Sequence, residues 1–270
     1  MYWVTQGKKL FYRIEGAGLP VVLLHGYLES NEIWQGFDQL LSGQYKLLIP
    51  DLPGHGRSDR IDEKQTMDML ADHIHNWLNE SGTKKVLMAG HSLGGYVALA
   101  YAGRYPGELA GLCLFHSHPY ADTDETRNNR KREISLVNEG KKHLIVNTNI
   151  PKAFAPGNVS RMKKNVEFAK TIARRTPDEG IVAMLRGMME RPDRSRIFFK
   201  PDIPTLWILG KKDQYIPYSK MLGNIPEKTP LKVRVLPLSG HMGFMEEPDL
   251  AAHYIRDFME NVLIPGSYSL

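Results

Sequence analysis

The chain of 270 residues holds one cysteine, Cys113, so no internal disulfide can form and the fold must rest on packing and hydrogen bonds. Cys113 lies within Leu112-Cys113-Leu114-Phe115, which reads as a buried strand rather than a reactive thiol. Long apolar runs are also missing. Stretches such as Pro20 to Leu24 and Thr205 to Leu209 fall far short of the roughly 20 residues that a membrane-spanning helix needs, so no membrane partner is expected. The opening residues, Met1-Tyr2-Trp3-Val4-Thr5-Gln6-Gly7-Lys8-Lys9, lack the basic start and apolar core of a secretory signal, and a cytoplasmic location is expected. There is no internal repeat, no low-complexity tract and no aromatic ladder among basic residues, which argues against a nucleic-acid partner.

What charge there is, a net +5, is unevenly spread. Residues 120–200 hold 18 Lys and Arg against 10 Asp and Glu, leaving 17 against 20 in the rest of the chain. The charges in that segment are interspersed with apolar residues, the pattern of a solvated helical surface; attraction of an anionic substrate is the alternative. Before this segment, strand-like runs at Val21 to Leu24, Lys46 to Ile49, Lys85 to Ala89 and Leu109 to Phe115 alternate with helical patterns. Residues 66–80 align Leu70, Ile74, Trp77 and Leu78 on one stripe. Helices are expected near 124–140, 159–175 and 178–190, with a loop over 149–157. Strands at Thr205 to Leu209 and Lys232 to Leu236 follow, and a last helix starts near Glu247-Pro248. Alternating strands and helices imply a three-layer α/β fold with a mostly parallel sheet.

In such sheets the sites lie beyond the carboxyl ends of the strands. There the chain carries His25-Gly26-Tyr27-Leu28, then Gly90-His91-Ser92-Leu93-Gly94-Gly95, then Gly210-Lys211-Lys212-Asp213, then Ser239-Gly240-His241. A serine pressed between Gly90 and Gly94 at a strand-to-helix turn is how a chain exposes a nucleophile. Serine needs a base to take its proton, and the histidine needs a carboxylate to fix its tautomer. Ser92, Asp213 and His241 supply these three roles in the order nucleophile, acid, base. Trp34 reads as a core anchor, and His55 and Arg57 as residues that hold their own loop. Of Met184, Met188, Met189, Leu144 and Phe154, spaced along helical stretches, a packed core is expected before a cavity lining.

Together these motifs, with Asp51-Leu52-Pro53-Gly54-His55-Gly56-Arg57-Ser58 and the Gly240-His241 turn before Glu247-Pro248, resemble the α/β-hydrolase fold superfamily over nearly the whole chain. The resemblance implies a core of residues 1–119 and 201–270 and a helical cap, residues 120–200, inserted between strands 6 and 7. It implies a capped serine hydrolase, carboxylesterase-like, with backbone N–H groups of Tyr27 and Leu93 as the oxyanion hole. No metal or organic cofactor is called for, and the substrate is a small ester or acyl compound, in one reading anionic. Serine at the elbow sets the chain apart from relatives that use aspartate there for dehalogenation or epoxide opening. Two other readings share the fold. One is a lyase or carbon–carbon bond hydrolase similar to the menaquinone-pathway synthase, which carries arginine where this chain has Tyr96. The other is a ligand-sensing protein that keeps the triad but turns over slowly.

Overall fold

In the computed structural model, which describes residues 1–199, 202–227 and 229–263, the apolar runs form the middle of one sheet. Its strands are β1 (Tyr2–Thr5), β2 (Lys8–Glu15), β3 (Leu19–Leu24), β4 (Tyr45–Pro50), β5 (Val86–His91), β6 (Leu109–Phe115), β7 (Thr205–Gly210) and β8 (Leu231–Leu236). They pair in the order β1-β2-β4-β3-β5-β6-β7-β8. Pairings from β4 to β8 are parallel, while β1 and β2 are added antiparallel at one edge. Every residue of β5 and β7 is buried, as expected for strands covered by helices on both faces. Gln6 and Gly7 join β1 to β2 with φ of 49° and 73°, the two positive values that a tight two-residue hairpin demands.

The order β4-β3-β5 contains a reversal. The chain moves outward from β3 to β4, then returns past β3 to lay β5 on its other side. At such a switch point the connections leave toward opposite faces, and a crevice opens beyond the carboxyl ends of the two inner strands. The turn after β3 and the turn after β5 meet there: a Cβ on Gly26 would stand 2.8 Å from His91 Nδ1, and one on Gly94 2.8 Å from the His25 carbonyl.

Thr66 caps the helix Met67–Glu80 by accepting the Met69 N–H at 3.2 Å, and the stripe of Leu70, Ile74, Trp77 and Leu78 is buried. Pro248 opens the last helix, Pro248–Leu263, which buries Ala251, Ile255, Phe258 and Met259. Trp34 is fully buried with Phe37, Phe115 and Phe244 around it, the anchor that its sequence position suggests. Cys113 is buried in β6, where desolvation pushes its thiol pKa up.

Between β6 and β7 the described residues contain helices at Asp124–Asn138, Lys142–Ala153, Pro156–Val159, Lys163–Arg175, Asp178–Met189 and Ser195–Phe199. The expected boundary at Lys200 and Pro201, and the chain beyond Leu263, lie outside the described residues. The loop expected over 149–157 is in part helical. Pro151 falls in the last turn of Lys142–Ala153, where it removes one hydrogen bond while Ile150 and Ala153 on either side stay buried. Met184, Met188 and Phe154 are buried, but Leu144 is exposed. The helix Asp178–Met189 lies backbone to backbone on the loop after β4: a Cβ at Gly180 would overlap the Gly54 carbonyl, and one at Gly187 the Gln65 carbonyl.

The basic character of this segment is not all solvated surface. Asp122 is wholly buried and takes Arg130 Nε at 2.6 Å and Arg191 Nη1. Arg191 in turn covers the ring of Tyr96, 3.9 Å from its centroid. A carboxylate shared by two guanidinium groups is costly to remove, since both cations lose their counter-charge. Asp122→Asn is expected to lose about 3–5 kcal/mol in urea unfolding; a loss under about 1 kcal/mol would show that these charges are effectively solvated.

Candidate active site

Ser92 has φ 49° and ψ −112°, a left-handed backbone that costs a residue with a β-carbon about 1–3 kcal/mol. The strain is forced by proximity. A Cβ on Gly90 would run into the Gly94 carbonyl, one on Gly94 into the Leu24 carbonyl, and one on Gly95 into the Ser117 side chain. With those atoms absent, helix Leu93–Arg104 starts directly above the end of β5. β6 holds the turn from the side: Ser92 N–H donates to Phe115 O at 3.0 Å and Ser117 Oγ donates to Ser92 O at 2.7 Å. Leu93 is the first residue of that helix, whose leading N–H groups have no intrahelical acceptor.

Asp213 stands three residues past β7. Its Oδ1 accepts the N–H groups of Tyr215 at 2.8 Å and Ile216 at 2.9 Å, and its Oδ2 faces His241 Nδ1 at 2.7 Å. Burial alone would raise the Asp213 pKa, but the rings of His241 and His116 outweigh it and hold the carboxyl far below the ordinary range. Burial alone would lower the His241 pKa, and Asp213 reverses this, so the imidazole sits above its ordinary value. The histidine's backbone is fixed at both ends: its N–H donates to Ala153 O at 2.6 Å and its carbonyl faces His91 Nε2 at 2.8 Å.

Four further residues support this arrangement without a signal in the sequence pattern. Glu246 accepts Gly240 N–H (2.8 Å) on one oxygen and Ala155 N–H (2.8 Å) and Asn158 Nδ2 (2.7 Å) on the other, tying the His241 loop to the helical insertion. Glu29 and His91 pair at 3.0 Å below the serine turn. His116 has φ 46° and is wholly buried, with Nδ1 3.5 Å from Asp213 Oδ2. Burial brings its pKa down to about 4, so the ring is neutral near pH 7. His116, Asp213 and His241 offer ligand atoms all within 4.8 Å of one another, a proximity that linear spacing did not reveal. Of these atoms, Asp213 Oδ2 and His241 Nδ1 already engage each other.

Tyr27 follows Gly26, and its hydroxyl is buried beside the Glu133 carboxylate without a hydrogen bond of ordinary geometry. Burial and that carboxylate push its pKa up. Tyr215 stands edge-on to the His241 ring, centroids 5.3 Å apart, and donates to Asn149 O at 3.0 Å. His25 accepts the Leu52 N–H on Nε2 at 2.9 Å, which leaves Nδ1 to donate to Gly26 O at 2.8 Å and shapes the turn after β3. Arg57 lies over the Phe11 ring at 3.6 Å while its N–H donates to Asp51, holding the loop after β4.

Residues 20–134 match the alpha/beta hydrolase fold family. The chain is similar to an esterase from Thermogutta terrifontis, solved with malate bound: 31% identical, TM-score 0.89, covering 97% of each chain. It is 26% identical to a pimeloyl-[acyl-carrier protein] methyl ester esterase of Pseudoalteromonas atlantica, over 93% of this chain and 97% of that one. An uncharacterized protein of Mycobacterium tuberculosis is 32% identical over 110 residues, 41% of this chain, and the match spans about a third (32%) of that relative's length.

Two outcomes follow from the geometry. Gly94→Ala drives a methyl group into the Leu24 carbonyl and is expected to lower stability by about 1–3 kcal/mol, read by urea unfolding; an unchanged midpoint would mean that the turn has room to relax. Because the folded-state pKa of Asp213 is depressed, its contribution to stability is present above the ordinary carboxylate range and lost as pH falls below about 4. Unfolding free energy measured against pH is expected to drop there, and to drop less steeply in Asp213→Asn; equal slopes would contradict the assignment.

Proposed function

The chain belongs to the α/β-hydrolase fold family, and from that premise we propose that it is a serine hydrolase cleaving small carboxylic esters, with Ser92 as nucleophile, His241 as base and Asp213 as the acid that orients it. The observation that carries this reading is the hydrogen bond of 2.7 Å from His241 Nδ1 to a buried carboxylate, in a histidine whose carbonyl lies 2.8 Å from the ring of His91, the residue before the strained Ser92. With Nδ1–H committed to Asp213, the lone pair of a neutral His241 lies on Nε2, the nitrogen that accepts a serine proton. Ser92 Oγ attacks the ester carbonyl as His241 takes its proton. The carbonyl oxygen becomes an oxyanion that the N–H groups of Leu93 and Tyr27 stabilise. The tetrahedral intermediate collapses, His241 returns the proton to the departing alkoxide, and an alcohol leaves. Water, deprotonated by the same histidine, then attacks the acyl-enzyme and frees the acid.

In this reading residues 120–200 act as a cap that supplies Tyr215's neighbour Asn149, Glu133 and the Phe154 to Asn158 segment around the crevice. The esterase relatives support ester substrates, and the acyl and alcohol parts are set by that cap. Tyr96 stands where the menaquinone-pathway synthase carries arginine, and Arg130 and Arg191 are both engaged by Asp122, so the neutral ester is favoured over the anionic lyase substrate. None of the proposed steps calls on a metal or organic cofactor. Among the described residues, no helix is long and apolar enough to cross a membrane.

A panel of neutral and anionic esters of graded acyl length tests the assignment. Ser92 is expected to react with a fluorophosphonate, and Ser92→Ala to lose both labelling and hydrolysis; hydrolysis that survives the substitution would overturn the nucleophile. The base must be unprotonated to work, so kcat/KM is expected to rise with pH through a midpoint above 6.5, because Asp213 raises the His241 pKa. A midpoint below 6.5 would contradict that coupling.

A further inference from the structure

His91, between Gly90 and Ser92, is fully buried, and both of its ring nitrogens face acceptors. Nδ1 lies 3.0 Å from Glu29 Oε2 and Nε2 lies 2.8 Å from the backbone carbonyl oxygen of His241. A carbonyl oxygen can only accept. Glu29 Oε2 also receives the Gly26 N–H at 2.5 Å, the pattern of an ionised carboxylate collecting donors. Neutral imidazole carries one N–H, so one of the two contacts would set lone pair against lone pair; imidazolium satisfies both.

We propose that His91 is a buried cation paired with Glu29, and that the pair positions the Gly26-Tyr27 oxyanion turn against the backbone of His241. The role assigned to the pair rests on the ester-hydrolase reading of Ser92. Its path is continuous: Gly26 N–H to Glu29, Glu29 to His91, His91 to the His241 carbonyl. The turn after β3, the turn after β5 and the loop after β8 are thereby joined through one side chain. Gly26 has to be glycine for this, since a Cβ there would stand 2.8 Å from His91 Nδ1 and 2.9 Å from Glu29 Oε2.

The surroundings fit an ion pair. Side chains of His91 and Glu29 are 1% and 6% exposed, so neither charge is left to water and each needs the other. Burial would raise the Glu29 pKa, yet His91 and the Gly26 N–H outweigh it and hold the carboxyl below its ordinary value. The titratable groups facing the pair from other elements are His25 beyond Glu29, His116 with its ring centroid 6.1 Å from that of His91, and His241 at 4.9 Å. His25 and His116 are held neutral by burial. Trp34, Phe115 and Phe244 complete the walls, their rings at 84°, 87° and 81° to the imidazole plane.

The charge of His91 can be read in the intact protein by ¹⁵N NMR of its imidazole, assigned by the signal lost in His91→Gln. In the wild type both ring nitrogens are expected to carry protons, one for each acceptor they face. In Glu29→Gln the ring is expected to become neutral. With the turn no longer held, kcat is expected to fall about 10- to 100-fold while KM stays within roughly two-fold. A bare ring nitrogen in the wild type overturns the bridge, and so does a Glu29→Gln enzyme with unchanged kcat. A loss of thermal stability with kcat and KM both unmoved would assign the pair to folding alone and overturn its positioning role. Absence of fluorophosphonate labelling at Ser92 in the wild type would instead overturn the nucleophile reading, and the positioning role with it, while the ¹⁵N spectrum still decides the charge.

Discussion

A backbone-to-backbone contact governs this molecule: Gly90 against Gly94, and Gly94 against Leu24, leave no room for a β-carbon. Because β5, β3 and the helix Leu93–Arg104 approach this closely, the chain between strand and helix has to turn through a left-handed residue, and that residue is Ser92. The serine's exposure, its strain and its position at the helix start are consequences of one steric fact. The strain is held from outside, by the Phe115 carbonyl at the end of β6 and the Ser117 hydroxyl just beyond it.

The other parts of the site arrive from far along the chain and are fastened to one another more than to the sheet. His241 takes its backbone partners from Ala153 and His91, and its ring partner is Asp213. Glu246 draws the Gly240 and Ala155 N–H groups onto a single carboxylate. The helical insertion therefore contributes to the geometry of the histidine as well as to the walls around it. In the proposed reaction this matters because a displacement of about 1 Å in a catalytic group is enough to cost orders of magnitude in rate.

Much of the fold is legible because parallel strands buried on both faces read as unbroken apolar runs. Leu109 to Phe115 has the bounds that the sequence suggests, and β5 and β7 differ by one or two residues at their ends. The stripe of Leu70, Ile74, Trp77 and Leu78 is equally plain, since helix periodicity survives a polar outer face. Helix Lys142–Ala153 was hidden by Pro151, whose usual effect as a breaker is muted in a final turn. The pairing of Arg130 and Arg191 on Asp122 was hidden too, because composition does not say which charges share a carboxylate. In the site, Ser92, Asp213 and His241 stand out by residue type at strand ends. His91 does not: within the glycine motif it is a filler position, and its partner carbonyl is 150 residues away. Glu29 and His116 are likewise defined only by three-dimensional contacts.

The account turns on whether the reaction passes through a covalent bond to Ser92. Acid quench of the protein during turnover of an ester whose acyl group leaves slowly, followed by intact and peptide mass analysis, measures this directly. The predicted result is a mass gain equal to the acyl group less the hydrogen it replaces, confined to the peptide carrying Ser92 and absent from Ser92→Ala. Steady turnover with no adduct on that peptide, and with solvent oxygen delivered to the acid in a single step, would contradict it.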